Sequence, residues 1–299
     1  MSPVRRLRSE ARDLLELVLV PGIAAVLPWS LCFRLFRWLC RFDFLYRDEC
    51  RQALAHATER GWVRGDPAQW LIDCRLVMLI DNADFYLSRT RGDPWMAKHL
   101  ETQGHWPAPD QPAILCTFHW GAGMWALRHM GSQGLSAHAL VAPHLRANFP
   151  GQAVRYHYYA ARNRENESAL GTRSIEASAL RRLMRTLSAR QQVAVAADVP
   201  SDQAAANELI PIIGMHARVP RALFRIAVEL QVPIYVYLTG IRMSDGQRTL
   251  KIEPLSSGSD IRSLILEAFG LLEQAIGEEP AAWHFWKVAP RFFCEPERR

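Results

Sequence analysis

Ala113-Ile-Leu-Cys-Thr-Phe-His119-Trp-Gly-Ala-Gly-Met124-Trp-Ala-Leu127 is the stretch that decides the fold. Its apolar run over 113–118 predicts a buried strand that ends on His119, and a glycine-containing turn then leads into a helical pattern. Open α/β sheets collect ligands and catalytic groups at the carboxyl ends of their strands, and histidine changes charge near neutral pH. His119 is therefore a candidate catalytic residue, and the alternative is a histidine that only caps a turn.

Apolar runs of strand length recur along the chain and alternate with helical patterns. We predict further strands over 136–142, 192–197, 233–238 and 250–252. Helical spacing is found over 48–91, 122–131, 151–164, 175–189, 217–231 and 260–278. Residues 99–112 are interpreted as a linker into the first strand. The alternation predicts an α/β fold, with residues 46–299 forming a single domain around a mixed, mostly parallel sheet flanked by helices.

The composition is that of a packed globular protein with a basic surface. The chain has 299 residues, 49% of them hydrophobic, and a mean hydropathy of −0.10, which excludes polytopic membrane proteins and disordered ones. The net charge of +6 comes from arginine, because Lys98, Lys251 and Lys287 are the only lysines. No nucleic-acid signature accompanies this charge, so we expect an anionic membrane surface as the partner and no nucleic acid. None of the six cysteines forms a CxxC pair, which favours reduced thiols over disulfides or a metal site.

Residues 1–45 form a basic and apolar N-terminal segment. The run over 17–33 carries no charge, but Pro21 and Pro28 interrupt it and its length is at the short limit for spanning a membrane. Arginines and aromatic residues alternate after it. We therefore predict a membrane-associating helical segment that makes a short insertion into the membrane or lies in the membrane interface. The alternative is a pair of core helices of the soluble domain.

Five elements of the sequence occur in the order typical of one family. They are a strand ending in His119-Trp-Gly121, a strand ending in Asp198 before a polar loop to Gln203, the Pro211-Ile-Ile-Gly214 element, Arg225 eight residues before Pro233, and a closing motif from Trp283-His-Phe-Trp286 to Arg291-Phe292. In this order, and behind a basic N-terminal segment, the chain resembles the late acyltransferases of lipid A biosynthesis, within the lysophospholipid acyltransferase superfamily. The likeness extends over nearly the whole chain.

The resemblance implies an acyltransferase without a metal or a cofactor. A fatty or related acyl chain would pass from an acyl-carrier-protein or coenzyme A thioester to a hydroxyl of a lipid or glycolipid acceptor. A histidine matching His119 would be the general base, and the protein would lie at the cytoplasmic face of a bacterial inner membrane. An acceptor outside lipid A, such as a polyene pigment lipid, is an alternative substrate.

One position departs from the family motif, which is His-x4-Asp/Glu. Met124 occupies the place of the acid that would orient His119. We consider three explanations. Asp198, or as a second choice Asp202, replaces the acid because strand ends of one parallel sheet converge. Alternatively, His119 acts alone on an amine or an activated hydroxyl, or the protein binds a lipid or acyl chain and catalyses nothing.

Several residues are candidates for substrate binding. The resemblance places a phosphate-binding arginine at Arg162 or Arg164, and the backbone N–H groups from Gly121 to Gly123 could stabilise an oxyanion. Arg225, in an apolar helix, either pairs structurally or faces the site. The tryptophans that could line an acyl tunnel, or belong to the core, are Trp120, Trp125, Trp283 and Trp286. No histidine spacing predicts a metal site.

Overall fold

The strand that precedes His119 lies in the middle of a large sheet. The computed structural model describes residues 3–177, 179–203, 206–256 and 260–294, so the outer ends of the predicted segments 1–45 and 46–299 lie outside the described residues. The strands are β1 (Leu100–Gln103), β2 (Ala113–Thr117), β3 (Ala137–Val141), β4 (Ile175–Glu176), β5 (Gln192–Ala196), β6 (Asn207–Ile212), β7 (Met215–Pro220), β8 (Ile234–Ile241), β9 (Arg248–Pro254) and β10 (Phe293–Cys294).

Helices precede the sheet and connect many of its strands. The α-helices are α1 (Pro3–Leu14), α2 (Val20–Gly22), α3 (Trp29–Leu39), α4 (Arg47–Glu59), α5 (Pro67–Thr90), α6 (Asp93–Lys98), α7 (Met124–Ser132), α8 (Ala153–Leu170), α9 (Leu180–Ser188), α10 (Ala222–Leu230) and α11 (Ile261–Glu278). A π-helix (Leu15–Leu19) joins α1 to α2, and a 3₁₀ segment (His284–Arg291) precedes β10.

The sheet topology confirms the predicted fold class. Within the described residues the larger sheet has seven strands in the order β1-β9-β8-β2-β5-β3-β4, and only the β8–β9 pair is antiparallel. Leu115 of β2 packs with Ala126 and Met130 of α7 on one face, while Phe118 packs on Phe269 of α11 on the other. The histidine strand is therefore central and covered by helices on both faces.

Two predictions of secondary structure were too coarse. The helical span 48–91 is two helices, and α5 begins after Asp66, whose carboxylate accepts a hydrogen bond from the Ala68 N–H at 2.9 Å. The linker over 99–112 contains β1, which adds to the sheet edge beside β9. Short edge strands carry little hydrophobic periodicity, which explains why the pattern missed β1.

The prediction of a helix over 217–231 was wrong in its first five residues. β7 and β6 form an antiparallel hairpin, and β7 buries Ala217 and Val219 in alternation with exposed neighbours. The helix α10 starts only at Ala222, after Pro220. The helix expected over 175–189 likewise begins with β4 and becomes helical at α9.

The N-terminal segment packs closely against the α/β domain. Trp29, Phe33 and Phe36 of α3 are buried in the main hydrophobic core. The Trp29 indole N–H also donates a hydrogen bond to the Gly246 carbonyl at 3.2 Å, across the β8–β9 turn. Among the residues that the structure describes, no helix combines the length and hydropathy needed to cross a membrane. Membrane association of this segment stays a prediction.

A buried ion pair connects α3, α5 and β9. Arg248 of β9 is fully buried and donates hydrogen bonds to the Asp84 carboxylate and, at 2.7 Å, to the Gly246 carbonyl. Its guanidinium carbon lies 4.0 Å from the Trp29 ring centroid and 4.5 Å from that of Trp125. Burial raises the pKa of Asp84 to about 6, and the charge of Arg248 opposes this rise.

Replacing Arg248 with methionine is expected to destabilise the protein by about 3–5 kcal/mol, because Asp84 would stay buried without its cation. Urea unfolding followed by circular dichroism measures the change. The matched control is Arg242→Met, which removes an exposed arginine that pairs with Asp245 at 2.9 Å on the adjoining turn, and its unfolding midpoint should hardly move. Equal midpoints for the two variants would contradict a central role for the buried pair.

Candidate active site

His119 and Asp198 follow two neighbouring parallel strands at matching register. β2 and β5 pair Thr117 with Ala196, and the Ala197 N–H donates to the Thr117 carbonyl at 2.8 Å. His119 lies two residues after Thr117, and Asp198 lies two residues after Ala196. His119 Nδ1 then lies 2.8 Å from Asp198 Oδ1. The structure thus brings together the two residues predicted as catalytic, at the carboxyl edge of the sheet.

The Asp198 carboxylate holds both the side chain and the main chain of His119. The His119 backbone N–H lies 3.0 and 2.9 Å from the two carboxylate oxygens, and Asp198 is only 1% exposed. The indole N–H of Trp283 donates to Asp198 Oδ2 at 3.0 Å. The sequence placed Trp283 in the closing motif and predicted a tunnel or core position for it, but no spacing rule relates a tryptophan this far along the chain to β5. Three N–H groups therefore fix this buried carboxylate.

These contacts determine which nitrogen of His119 is basic. A carboxylate only accepts hydrogen bonds, so Nδ1 carries the proton and Nε2 holds the lone pair of the neutral ring. The His119 side chain is 44% exposed, which leaves the ring open on the side away from Asp198. Burial alone would lower the pKa of His119, but the charge and hydrogen bond of Asp198 raise it above its ordinary value. This arrangement suits a general base.

A second ion pair acts electrostatically on His119. Arg162 of α8 donates to Asp81 Oδ1 of α5 at 2.7 Å, and both side chains are about one-sixth exposed. Burial would raise the pKa of Asp81, but Arg162, together with His284 and His119, lowers it below its ordinary value. Both members of the ion pair act on His119, because the charge of Asp81 raises the pKa of the imidazole and that of Arg162 lowers it.

The other sequence candidates do not converge on His119. Arg164 is exposed and makes no hydrogen bond or ion pair with the part of the chain that the structure describes. Arg225 is half exposed and lies 3.6 Å from Glu229 on the same helix. Asp202, the second choice for the orienting acid, pairs with Arg291 at 2.8 Å on the surface. Asp198 is thus the acid in contact with the imidazole.

Gly121 shapes the turn after His119. Its φ is +70°, and a Cβ there would lie 2.0 Å from the Thr239 carbonyl oxygen, so glycine is required. Its N–H donates to the Ala282 carbonyl at 3.0 Å, and the Ala122 N–H donates to Thr239 at 2.9 Å. Both N–H groups are occupied. Of the donors predicted over 121–123, the Gly123 N–H makes no hydrogen bond within the described chain, and it lies at the start of α7, whose first-turn N–H groups are also free of helical partners.

Met124, at the position of the family acid, lies in a small apolar cluster. It is 2% exposed and packs with Leu17, Phe85 and Tyr158. The first turn of α7 therefore presents this position to the helices around it. An acid at 124 would be buried among apolar side chains.

Neither a protein-family model nor a curated protein sequence matches the chain. Within the described ranges, no group of three or more His, Cys, Asp or Glu side chains is arranged to hold a metal ion. A functional conclusion therefore depends on the geometry of the site and on the order of its sequence motifs.

Introducing the acid of the His-x4-Asp/Glu motif by Met124→Glu is expected to destabilise the protein by about 2–4 kcal/mol, because the new carboxyl would be buried without a partner. The matched control is Met124→Leu, with an expected change of less than about 1.5 kcal/mol. Chemical denaturation measures both. Unchanged stability of Met124→Glu would mean that position 124 can reach water or His119, contrary to the packing.

Proposed function

We propose that this protein is an acyltransferase that moves an acyl chain from an acyl-carrier-protein or coenzyme A thioester to a hydroxyl of a lipid or glycolipid acceptor. The observation that carries the proposal is the 2.8 Å contact between His119 Nδ1 and the buried Asp198 carboxylate, on an imidazole that stays open to a ligand. The order of the sequence motifs supports the acyltransferase class over other uses of a general base.

The proposed reaction needs one proton carrier and no covalent enzyme intermediate. His119 Nε2 takes the proton of the acceptor hydroxyl while the hydroxyl oxygen attacks the thioester carbonyl carbon. The tetrahedral intermediate collapses, the carbon–sulfur bond breaks, and the leaving sulfur receives the proton from the imidazolium. Asp198 stabilises that imidazolium, as the acid does in a catalytic triad. The first turn of α7 supplies N–H groups toward the developing oxyanion.

Arg162 is the best candidate for a phosphate contact in this reaction. Arginine binds phosphate through a planar fork of donors, and Asp81 engages one Arg162 nitrogen at 2.7 Å. Asp81 would hold the Arg162 guanidinium in place. The remaining N–H groups of that guanidinium would then bind a phosphate of the acyl donor or of the acceptor. Arg164, which is exposed on the same helix, would then contribute only long-range attraction.

Transfer of a radiolabelled acyl group from an acyl-carrier thioester to membrane lipids tests the proposal. We expect His119→Ala to reduce the rate by at least about 10³-fold and Asp198→Asn by about 10²–10⁴-fold. Asp202→Asn is the matched control, because that carboxylate pairs with Arg291 on the surface, and it should keep full activity. Equal rates in the wild type, His119→Ala and Asp198→Asn would refute the mechanism.

A loss in His119→Ala with full activity in Asp198→Asn would remove only the proposed partner of the base. Thioester or lipid binding by the wild type without any transfer would instead favour the non-catalytic, lipid-binding alternative.

We further propose that the N-terminal segment attaches the protein to the cytoplasmic face of a bacterial inner membrane. Trp38, Phe42 and Phe44 are exposed and adjacent, with ring centroids 4.9 Å apart for the first pair and 6.4 Å for the second. Exposed arginines at 37 and 41 flank them. Aromatic rings beside arginines fit the apolar and phosphate layers of a membrane interface.

Replacing Trp38 and Phe42 together with alanine should weaken binding to phosphatidylglycerol-containing vesicles by about tenfold or more, since both rings lose apolar contact with the bilayer. Co-sedimentation measures the bound fraction. Leu266→Ala, an exposed apolar residue of α11, is the control and should bind like the wild type. Unchanged binding of the double variant would exclude this surface as the point of attachment.

A further inference from the structure

Three consecutive residues near the C-terminus each contact the His119–Asp198 pair. The Trp283 indole N–H donates to Asp198 Oδ2 at 3.0 Å. The backbone N–H of His284 donates to the His119 carbonyl at 2.9 Å. The Phe285 ring stacks on the imidazole of His119, with centroids 4.2 Å apart and planes 26° apart. Residues 283–285, called the closing run below, therefore contact the Asp198 carboxylate, the His119 main chain and the face of the His119 ring.

The closing run is itself anchored on both sides. The His284 ring nitrogen Nε2 lies 2.7 Å from the Gly121 carbonyl oxygen, beyond His119 in the chain. Trp286, fully buried, donates its indole N–H to the Pro280 carbonyl at 2.7 Å. Trp283 is 3% exposed. Because these anchors do not involve His119 or Asp198, the closing run has little freedom to follow either side chain.

We infer that Trp283 and Phe285 are positioning residues for the His119–Asp198 pair, with opposite effects on the basicity of His119. Trp283 acts through Asp198, because its N–H shares the negative charge that would otherwise act on the imidazolium. Phe285 acts on the ring directly, because an aromatic face attracts a cation stacked on it. The catalytic meaning of these effects depends on the proposed acyltransferase function, but the effects themselves do not.

Residues that position Asp198 are needed because this acid comes from a different strand than His119. An acid on the helix that follows the histidine would be held by that helix. Here the acid comes from β5, and a rigid N–H donor from a third part of the chain fixes the carboxylate. Indole offers a single donor on a large ring that packing immobilises.

Other charged groups face His119 and stay in place in the variants below. They are Asp198 from the β5 end, Asp81 from α5 and Arg162 from α8, with the His284 ring on the closing run itself. Asp81 and Arg162 form a mutual ion pair at 2.7 Å. Within the described residues, neither Trp283 nor Phe285 makes a hydrogen bond to Asp81 or Arg162, so substituting them leaves the hydrogen bond of that ion pair in place.

Nuclear magnetic resonance titration of His119 in the full chain tests the inference without any assay of activity. Trp283→Phe should raise the pKa of His119 by about half a unit, since Asp198 loses a donor, and Phe285→Leu should lower it by a similar amount. The matched control is Trp106→Phe, which removes an indole N–H whose acceptor is His129 Nδ1 at 2.9 Å and should leave the pKa of His119 unchanged. A shift of the same sign in both test variants, or the same shift in Trp283→Phe and Trp106→Phe, would overturn the inference.

A measurement on the wild type covers the case in which Trp283→Phe does not fold. The indole N–H resonance of Trp283 should shift with pH at the midpoint of the His119 imidazole, because both share the Asp198 carboxylate. The Trp286 resonance should not shift there. A Trp283 resonance that is insensitive to the protonation of His119 would contradict coupling through Asp198.

Kinetics then connect the inference to the proposed reaction. A general base acts when neutral, so the acid limb of the pH–rate profile should move up in Trp283→Phe and down in Phe285→Leu, parallel to the measured pKa values. In Trp283→Phe, kcat should fall about tenfold with little change in KM, because the indole is buried and acts through Asp198. If the wild type transfers no acyl group, the proposed function fails, while the resonance titrations still decide the positioning roles.

Discussion

The parallel pairing of β2 with β5 is the constraint on which the candidate site depends. A shift of one residue in their register would turn every side chain of one strand to the opposite face of the sheet. In the observed register Thr117 pairs with Ala196, so the segments that follow the two strands bring His119 and Asp198 to the same level of the sheet edge. Both strands are internal, with β8 outside one and β3 outside the other, so neighbours on each side resist a slip.

The buried or partly buried carboxylates around the site are neutralised in different ways. Asp84 and Asp81 are each held by an arginine, Arg248 and Arg162, which stays charged at any relevant pH. The contacts of Asp198 in the described structure are neutral N–H donors and the His119 imidazole. The cation that Asp198 stabilises is therefore formed only when the imidazole takes up a proton. Asp84 and Asp81 thus link α5 to β9 and to α8 through their arginines. Asp198 instead can stabilise the imidazolium that His119 becomes when it accepts a proton.

Sequence patterns predicted the parts of the molecule that are governed by local periodicity. The runs ending at His119 and Asp198 are apolar on both faces because their strands are central. The convergence of parallel strand ends made Asp198 the first choice among the candidate acids, but it left open whether His119 has an acid partner at all. Short or edge strands escaped prediction, since β1 and β7 have weak patterns or patterns that mimic a helix. The roles of Trp283 and Phe285 depend on contacts between distant parts of the chain, for which one sequence holds no signal. The surface position of Arg225 was equally hidden, because an apolar helix with one arginine does not reveal which way that arginine points.

The distance along the chain between the parts of the site has a consequence for the newly synthesised protein. Asp198 follows His119 by 79 residues, and Trp283 follows Asp198 by a further 85. A ribosome-bound chain therefore exposes its histidine long before the carboxylate and the indole that orient it have been made. The complete set of hydrogen bonds that orients the imidazole can therefore form only after Trp283 has been added to the chain. The site is thus completed well after the histidine strand has been synthesised.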